Sequence, residues 1–165
     1  MADILLTAWG NTSRGDDALG PLLLRRLEAW ALSQGIAERF VWVEDFQLQV
    51  EHALELEGKR LALYVDAGEN TLAPFSFSAI SPLQQAWHTT HAMPPESVLA
   101  VFENALKKPP CPAFVLCVSG HNFHMHEGLS DKAKAHLEAA LAFAQTLLHN
   151  PTPQAWRSLI CFSTA

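Results

Sequence analysis

The fold is decided by residues 4–31, which read ILLTAWGNTSRGDDALGPLLLRRLEAWA. An apolar run over residues 4–9 stops at Gly10 and Asn11, and short apolar runs that end in this way are typical of buried strands followed by turns. From Leu19 onward the apolar residues recur at helical spacing, with charged residues between them. The stretch therefore predicts a buried strand, a polar loop and an amphipathic helix.

The same alternation continues along the rest of the chain. Runs typical of strands lie at 40–43, 61–65 and 113–118, and the alternating run 75–80 predicts an edge strand with one wet face. Helical spacing occurs over 46–58, 96–106 and 130–148, and residues 150–165 are expected to form a tail. This order predicts a single α/β domain over residues 1–165, with three layers: a mostly parallel twisted sheet of about five strands and helices on both of its faces.

Composition excludes several classes of protein. Eleven Lys and Arg against 17 Asp and Glu give a formal net charge of −6, so no positive field is available for a polyphosphate backbone and nucleic acid is not an expected partner. Cys111, Cys117 and Cys161 stand in apolar stretches, which predicts buried thiols in a reducing compartment and hence a cytoplasmic protein. The first apolar run is too short for a signal peptide, and no run of about 18 apolar residues predicts a membrane span.

Candidate ligands collect where the predicted strands end. In parallel sheets, ligands bind beyond the carboxyl ends of the strands, and the loop after the first strand, Asp66 and residues 120–126 all belong to that edge. Asp66 follows a strand that is otherwise apolar, so its carboxylate must be solvated, hydrogen-bonded or metal-bound. His91, in a loop, is by itself expected at the surface. Two carboxylates and an imidazole that met at this edge would suit a divalent transition metal with open coordination positions.

The first loop leaves two interpretations open. Its glycines, Gly10, Gly15 and Gly20, match neither the dinucleotide fingerprint nor a phosphate loop, and two adjacent aspartates would repel a phosphate, which disfavours a nucleotide-binding module. Asp16 and Asp17 are either ligands at this edge or simply caps of the following helix.

Other reactive residues carry weaker signals. The cysteines lie away from the loop edge, which disfavours a thiol nucleophile. His121, His124 and His126 form either a second metal site or a polar loop that shapes the cleft, and their spacing suits a turn as well as a ligand set. Trp9 and Trp87 flank the edge and belong either to the core or to a surface for a partner.

Four motifs in order carry a resemblance to a known family. They are GN…GDDALGP after the first strand, VDA at the end of the third, TTHAMPPESVL before a helix, and SGHNFHMHEGLS before the last long helix. This order, over about residues 4–148, resembles the hydrogenase maturation endopeptidases. These proteases trim the C-terminal extension of the large-subunit precursor of nickel–iron hydrogenases once nickel is in place.

The resemblance implies a site and a substrate. Position by position, the nickel-contacting residues would be Asp17, Asp66 and His91, with Asp17 and Asp66 also the candidate catalytic residues and Asp16 the alternative to Asp17. Nickel would arrive with the substrate rather than reside in the protein. The chain departs from the family's usual pattern at Ala8–Trp9, where a second glycine is usual, and at Asp17, where Glu is common.

The function expected from the resemblance is a cytoplasmic endopeptidase, monomeric when free, that cleaves the nickel-loaded large-subunit precursor. Whether the metal activates a water or an aspartate serves as general base stays open. The alternative is a non-catalytic nickel-checkpoint protein that binds the same precursor without cutting it.

Overall fold

The computed structural model of the protein describes residues 2–83 and 93–161. The strands are β1 (Ile4–Trp9), β2 (Phe40–Asp45), β3 (Leu61–Gly68), β4 (Phe75–Ile80) and β5 (Ala113–Ser119). The α-helices are α1 (Leu19–Ser33), α2 (Pro95–Leu106), α3 (Asp131–His149) and α4 (Pro153–Ser158). Short 3₁₀ helices occupy Gly15–Ala18, Ala37–Arg39 and Val50–Leu56.

One five-stranded sheet organises the molecule, in the order β2-β1-β3-β5-β4. Strands β2, β1, β3 and β5 are parallel, and β4 lies antiparallel to β5 at the edge. Helices α1 and α3 cover one face, and α2 with the 3₁₀ helix Val50–Leu56 covers the other. The predicted fold class, a single α/β domain with a mostly parallel sheet between helices, is confirmed.

Strand β3 fixes the direction of the residues at its end. Leu63 and Val65 pack towards α1 and α3, whereas Ala62 and Tyr64 pack towards α2. Because side chains alternate along a strand, the next even-numbered residue, Asp66, faces the α2 side. The strand continues to Gly68, so Asp66 lies within β3 rather than just after it, and its position in the ladder is opposite Cys117 of β5.

The segment 46–58 differs from the predicted helix. Only Val50–Leu56 is helical, as a 3₁₀ helix, and residues 46–49 form a loop. The expected apolar stripe of Val50, Leu54 and Leu56 is only partly buried: Val50 is 53% exposed and Leu54 is 75% exposed, whereas Leu56 is buried. Since helices in proteins are stabilised mainly by packing of the apolar face, a stripe that is buried at only one of these three positions favours a short 3₁₀ helix over a longer α-helix.

Residues after 150 are not a simple tail. Thr152 caps α4 by accepting a hydrogen bond from the Ala155 N–H at 3.1 Å, and Pro153 occupies the first turn. Trp156 is fully buried against the rings of Phe77 and Phe114. The Asn-Pro-Thr-Pro stretch ends one helix but also starts another, because proline is favoured at the first helical position.

The structure also bears on two further expectations, the burial of the three cysteines and the absence of a membrane-spanning helix. Cys111 and Cys117 are half-buried free thiols, but Cys161 is exposed, because it forms a bridge with Phe77 on the outer side of the edge strand β4. The expectation that Cys161 is buried is therefore wrong. Within residues 2–83 and 93–161, no helix is both long and apolar enough to cross a membrane.

Candidate functional site

Asp17 is held at the edge of the sheet by the loop that follows β1. Its backbone N–H donates to the Arg14 carbonyl at 3.0 Å, and its Oδ2 accepts the N–H of Asn11 at 2.8 Å. The side chain is partly exposed and lines a cleft. A carboxylate with one backbone donor and access to solvent keeps lone pairs free for a ligand.

Asp66 stands half-buried on the α2 face at the end of β3. Its Oδ1 accepts the N–H of the next residue, Ala67, at 2.8 Å. Burial raises the pKa of Asp66 to about 7, and the negative charge of Asp17 adds to the rise. The two carboxylates are therefore close enough to interact, and Asp66 holds its proton up to near-neutral pH.

Two glycines allow the loop and α1 to approach the sheet this closely. A Cβ on Gly20 would lie 2.8 Å from the Trp9 carbonyl oxygen and 3.0 Å from that of Val65, so only glycine lets the first turn of α1 rest on β1 and β3. Gly10 has a φ of +148°, and a Cβ there would overlap the carbonyl oxygen of Asp17. These glycines serve close backbone packing, which supports the exclusion of a phosphate loop.

Asp16 has a different role from its neighbour. Its side chain is fully buried and accepts four hydrogen bonds: backbone N–H groups of His121 at 2.7 Å, Asn122 at 3.0 Å and Ser130 at 2.8 Å, and the Ser130 hydroxyl at 2.7 Å. Burial alone would raise the pKa of Asp16, but these donors together lower it. We call this set of bonds the Asp16 latch, because it fastens the loop after β1 to the loop before α3.

The Asp16 latch bears on two interpretations of the acidic pair: that the aspartates cap α1, and that Asp16 rather than Asp17 is the ligand. Neither aspartate caps α1, whose N-terminus has no side-chain hydrogen bond, so the reading of the pair as helix caps is wrong. With its oxygens already occupied by protein donors, Asp16 is the less available of the two carboxylates, and Asp17 is the one that faces the cleft.

The cleft beside Asp17 has a volume of about 250 Å³. Its lining comes from the ends of β1 and β2 and the loops that follow them: Trp9, Gly10, Asn11, Arg14, Asp17, Phe46 and Gln47. Phe46 is 62% exposed, and the Arg14 Nε donates to the Phe123 carbonyl at 2.9 Å. An exposed aromatic ring, a guanidinium and a carboxylate around one opening suit a peptide better than a small apolar ligand.

A buried histidine supports this side of the cleft. The Nδ1 of His52 accepts the N–H of Gln49 at 2.8 Å, so its Nε2 carries the hydrogen and lies 3.1 Å from the Asp45 carboxylate. Asp45 also accepts the Phe46 N–H at 2.6 Å, and its backbone carbonyl accepts the N–H of Gly10. Sequence reasoning missed this support, although an acid and a histidine seven residues apart around a predicted strand end were a visible signal.

Cys117, whose thiol contacts Thr71, was also missed as a neighbour of Asp66. The Thr71 Oγ1 lies 3.0 Å from the Cys117 Sγ, and burial together with the Asp66 charge raises the pKa of this thiol. A thiol with a raised pKa stays protonated, which disfavours Cys117 as a nucleophile. Cys117 nevertheless lies beside Asp66 in the sheet, so the expectation that all three cysteines lie away from the loop edge is wrong for this residue. Cys117 pairs with Asp66 because β5 lies next to β3 in the sheet, and the sequence alone did not predict this strand order.

Two predicted residues, His91 and Trp87, lie outside the described residues. The prediction that His91 joins Asp17 and Asp66 on one ion therefore stays a prediction. In the part of the chain that the structure describes, no three His, Cys, Asp or Glu residues are grouped so that they could hold a metal ion. Trp9 is half-buried, and its ring packs edge-on against Tyr64 with centroids 6.3 Å apart while its other side lines the cleft.

The fold is shared with several solved structures, among them hydrogenase maturation proteases. The hydrogenase maturation protease HycI of Thermococcus kodakarensis is 19% identical, with a TM-score of 0.68 over 90% of this chain and 94% of that one. The hydrogenase maturating endopeptidase HybD of E. coli is 18% identical, with a TM-score of 0.61 over 90% and 93%. A hydrogenase 2 maturation peptidase from a Thaumarchaeota archaeon is 21% identical, with a TM-score of 0.60 over 88% and 97%.

No protein-family profile and no curated protein sequence matches the chain. The solved structures nevertheless confirm, at the level of the fold and over about nine-tenths of the chain, the resemblance seen in the sequence motifs.

Proposed function

We propose that this protein is a cytoplasmic endopeptidase of nickel–iron hydrogenase maturation, which removes the C-terminal extension of the nickel-loaded large-subunit precursor. The observation that carries the proposal is the acidic pair: the charge of Asp17 acts on Asp66 at the carboxyl edge of the sheet, in a fold that is shared with hydrogenase maturation proteases. The open cleft beside Asp17 supports a peptide substrate.

In this proposal nickel belongs to the substrate, and the protein supplies oxygen ligands. Asp17 offers an accessible carboxylate, Asp66 a half-buried one, and His91 an imidazole, a set that suits a divalent ion of borderline softness. Binding the substrate's metal would fix the peptide bond beside it in the cleft, which is a positional contribution to catalysis.

The chemistry of cleavage then falls to the acidic pair. Asp66, with a pKa raised to about 7, is suited to exchange a proton near neutral pH. An arriving cation would draw this carboxyl towards its ionised form, because a nearby positive charge favours the charged state. Asp66 could then accept a proton from water, while Asp17 holds the ion.

The deciding experiment measures the mass of the precursor after incubation with the protein. Nickel-loaded precursor is expected to lose its C-terminal extension with the wild-type protein and to stay intact with Asp66→Asn or His91→Ala. The matched control is Asp131→Asn, which makes the same chemical change at a fully exposed site and should cut normally. Cutting by Asp66→Asn at the wild-type rate would remove Asp66 from the mechanism.

The same assay separates the alternative function. A nickel-checkpoint protein would bind the precursor without changing its mass. The two departures from the family's usual pattern, Ala8–Trp9 and Asp17, are the features that favour this alternative, and both Trp9 and Asp17 line the cleft. Co-elution of an uncut nickel-loaded precursor with the wild-type protein would decide for the checkpoint role, and size-exclusion chromatography of the free protein tests the proposed monomer.

A further inference from the structure

Two histidines that are 15 residues apart in the chain have neighbouring rings outside the acidic pair. His121 follows the end of β5 and is exposed, and His136 lies in the second turn of α3 and is half-buried. Their ring centroids are 5.4 Å apart and the ring planes cross at 51°. The partner of His121 is thus on α3, not in the histidine-rich loop itself.

The hydrogen bonding of His136 leaves one ring nitrogen available. Its Nδ1 lies 2.8 Å from the backbone carbonyl oxygen of Ser119, and a carbonyl oxygen can only accept, so Nδ1 carries the hydrogen. Nε2 then presents a lone pair. Histidines that bind metals are oriented in this way, with one nitrogen donating to a backbone carbonyl or carboxylate and the other coordinating the ion.

The ring separation fits a shared ion. With metal–nitrogen bonds of about 2.0–2.1 Å and a tetrahedral angle, two imidazole centroids lie about 5 Å apart. Within the described residues no third His, Cys, Asp or Glu completes a ligand group here, so water would fill the remaining positions. Such a site binds more weakly than a closed structural zinc site.

We propose that His121 and His136 form a binding site for a divalent transition ion of borderline softness, separate from the acidic pair and independent of the proposed protease activity. Its consequence is structural. The backbone N–H of His121 is one of the donors to Asp16, so an ion that joins the two rings would tie the Asp16 latch to α3. An ion that binds the folded chain stabilises it by mass action.

The test follows the histidine side chains by ¹H–¹⁵N NMR while Zn²⁺ is added, with thermal unfolding alongside. Zn²⁺ at a large excess over its Kd is expected to shift the ring resonances of His121 and His136, to leave those of His124 in place, and to raise Tm by about 4 °C or more. Mg²⁺, a hard cation that prefers oxygen ligands, should do neither.

Variants decide where the ion binds. His121→Ala, whose lost ring makes no hydrogen bond within the described residues, should abolish the rise in Tm, and so should His136→Gln. His124→Ala and Asp66→Asn should keep it. An unchanged rise in His121→Ala, unmoved His136 resonances, or loss of the response in Asp66→Asn would overturn the proposal, and none of these results bears on precursor cleavage.

Discussion

At the scale of single residues, Asp66 links the proposed function to the stability of the fold. Its pKa is about 7 in the folded protein against 3.8 for an ordinary Asp, so the folded state binds this proton more tightly than the unfolded state. The resulting stabilisation is complete below pH 3.8 and is lost as the pH rises towards 7. Above pH 7 the ionised carboxylate therefore works against folding.

Asp66→Asn should accordingly stabilise the protein at pH 8 and have little effect at pH 4. The pKa difference corresponds to at most about 4 kcal/mol, and partial exposure reduces the expected gain to about 1–2 kcal/mol. Urea unfolding at the two pH values measures it, with Asp131→Asn as the exposed control. Equal free energies of unfolding for wild type and Asp66→Asn at pH 8 would contradict the burial of this charge.

The adjacent residues Asp16 and Asp17 should differ in how much stability they lose when each is changed to Asn. Asp16→Asn places an amide among four donors and is expected to cost about 3 kcal/mol or more of stability, whereas Asp17→Asn keeps an acceptor for its single donor and should cost less than about 1 kcal/mol. Precursor cleavage should be lost in Asp17→Asn although the protein stays folded. Urea unfolding and the mass assay check both, and the assignment of roles fails if Asp17→Asn proves the more destabilising of the two.

The pH dependence of Asp16 has the opposite sign to that of Asp66. Since the latch lowers the pKa of Asp16, its stabilisation is present above the ordinary value of 3.8 and is lost as the pH falls through the folded pKa. Acid should therefore loosen the latch while it neutralises Asp66.

At the scale of elements, local pattern predicted most of the sheet. The apolar run 4–9 predicted β1, because a strand that is buried on both faces is apolar throughout. The alternation of residues 75–80 predicted β4, because a strand with one solvent-exposed face alternates apolar and polar residues. The 3₁₀ helix Val50–Leu56 was mistaken for a longer helix, since spacing does not tell whether an apolar stripe is covered.

The site was predictable to the extent that it follows from topology. That Asp17 and Asp66 lie at one edge follows from the rule that the carboxyl ends of parallel strands share an edge, whereas their role as site residues came from the family resemblance and stays a prediction. The partners of Asp16 lie 105 to 114 residues away, and the ring beside His121 belongs to α3. Such contacts depend on how helices dock, which no local pattern contains.

Helix α4 should prove part of the core. Trp156→Ala removes a fully buried ring and the hydrogen bond from its Nε1 to the Leu147 carbonyl, and is expected to cost about 3–5 kcal/mol. Gln154→Ala, at an exposed position of the same helix, should change stability by less than about 0.5 kcal/mol. Thermal or urea unfolding distinguishes them, and a silent Trp156→Ala would mean that α4 is dispensable.

At the scale of the whole molecule, the proposed function predicts an unusual dependence on metal. Two carboxylates and an imidazole at an open site give weak affinity for free metal, so the substrate must complete the coordination. Treatment of the protein alone with chelator should leave it able to cut nickel-loaded precursor, and nickel-free precursor should stay intact. Mass spectrometry of the precursor checks both. Cleavage of nickel-free precursor or of a generic peptide would indicate a conventional metallopeptidase instead.

The Asp16 latch also has a consequence for the order in which the protein is made. It joins residue 16 to residues more than 100 positions later, and non-local contacts of this kind are slow to form because loop closure costs entropy. During synthesis, the loop that carries Asp17 cannot be fastened until Ser130 has left the ribosome and α3 has docked. A nascent chain would therefore expose the residues of its first strand long before Ser130 is available to fix the loop that carries Asp17.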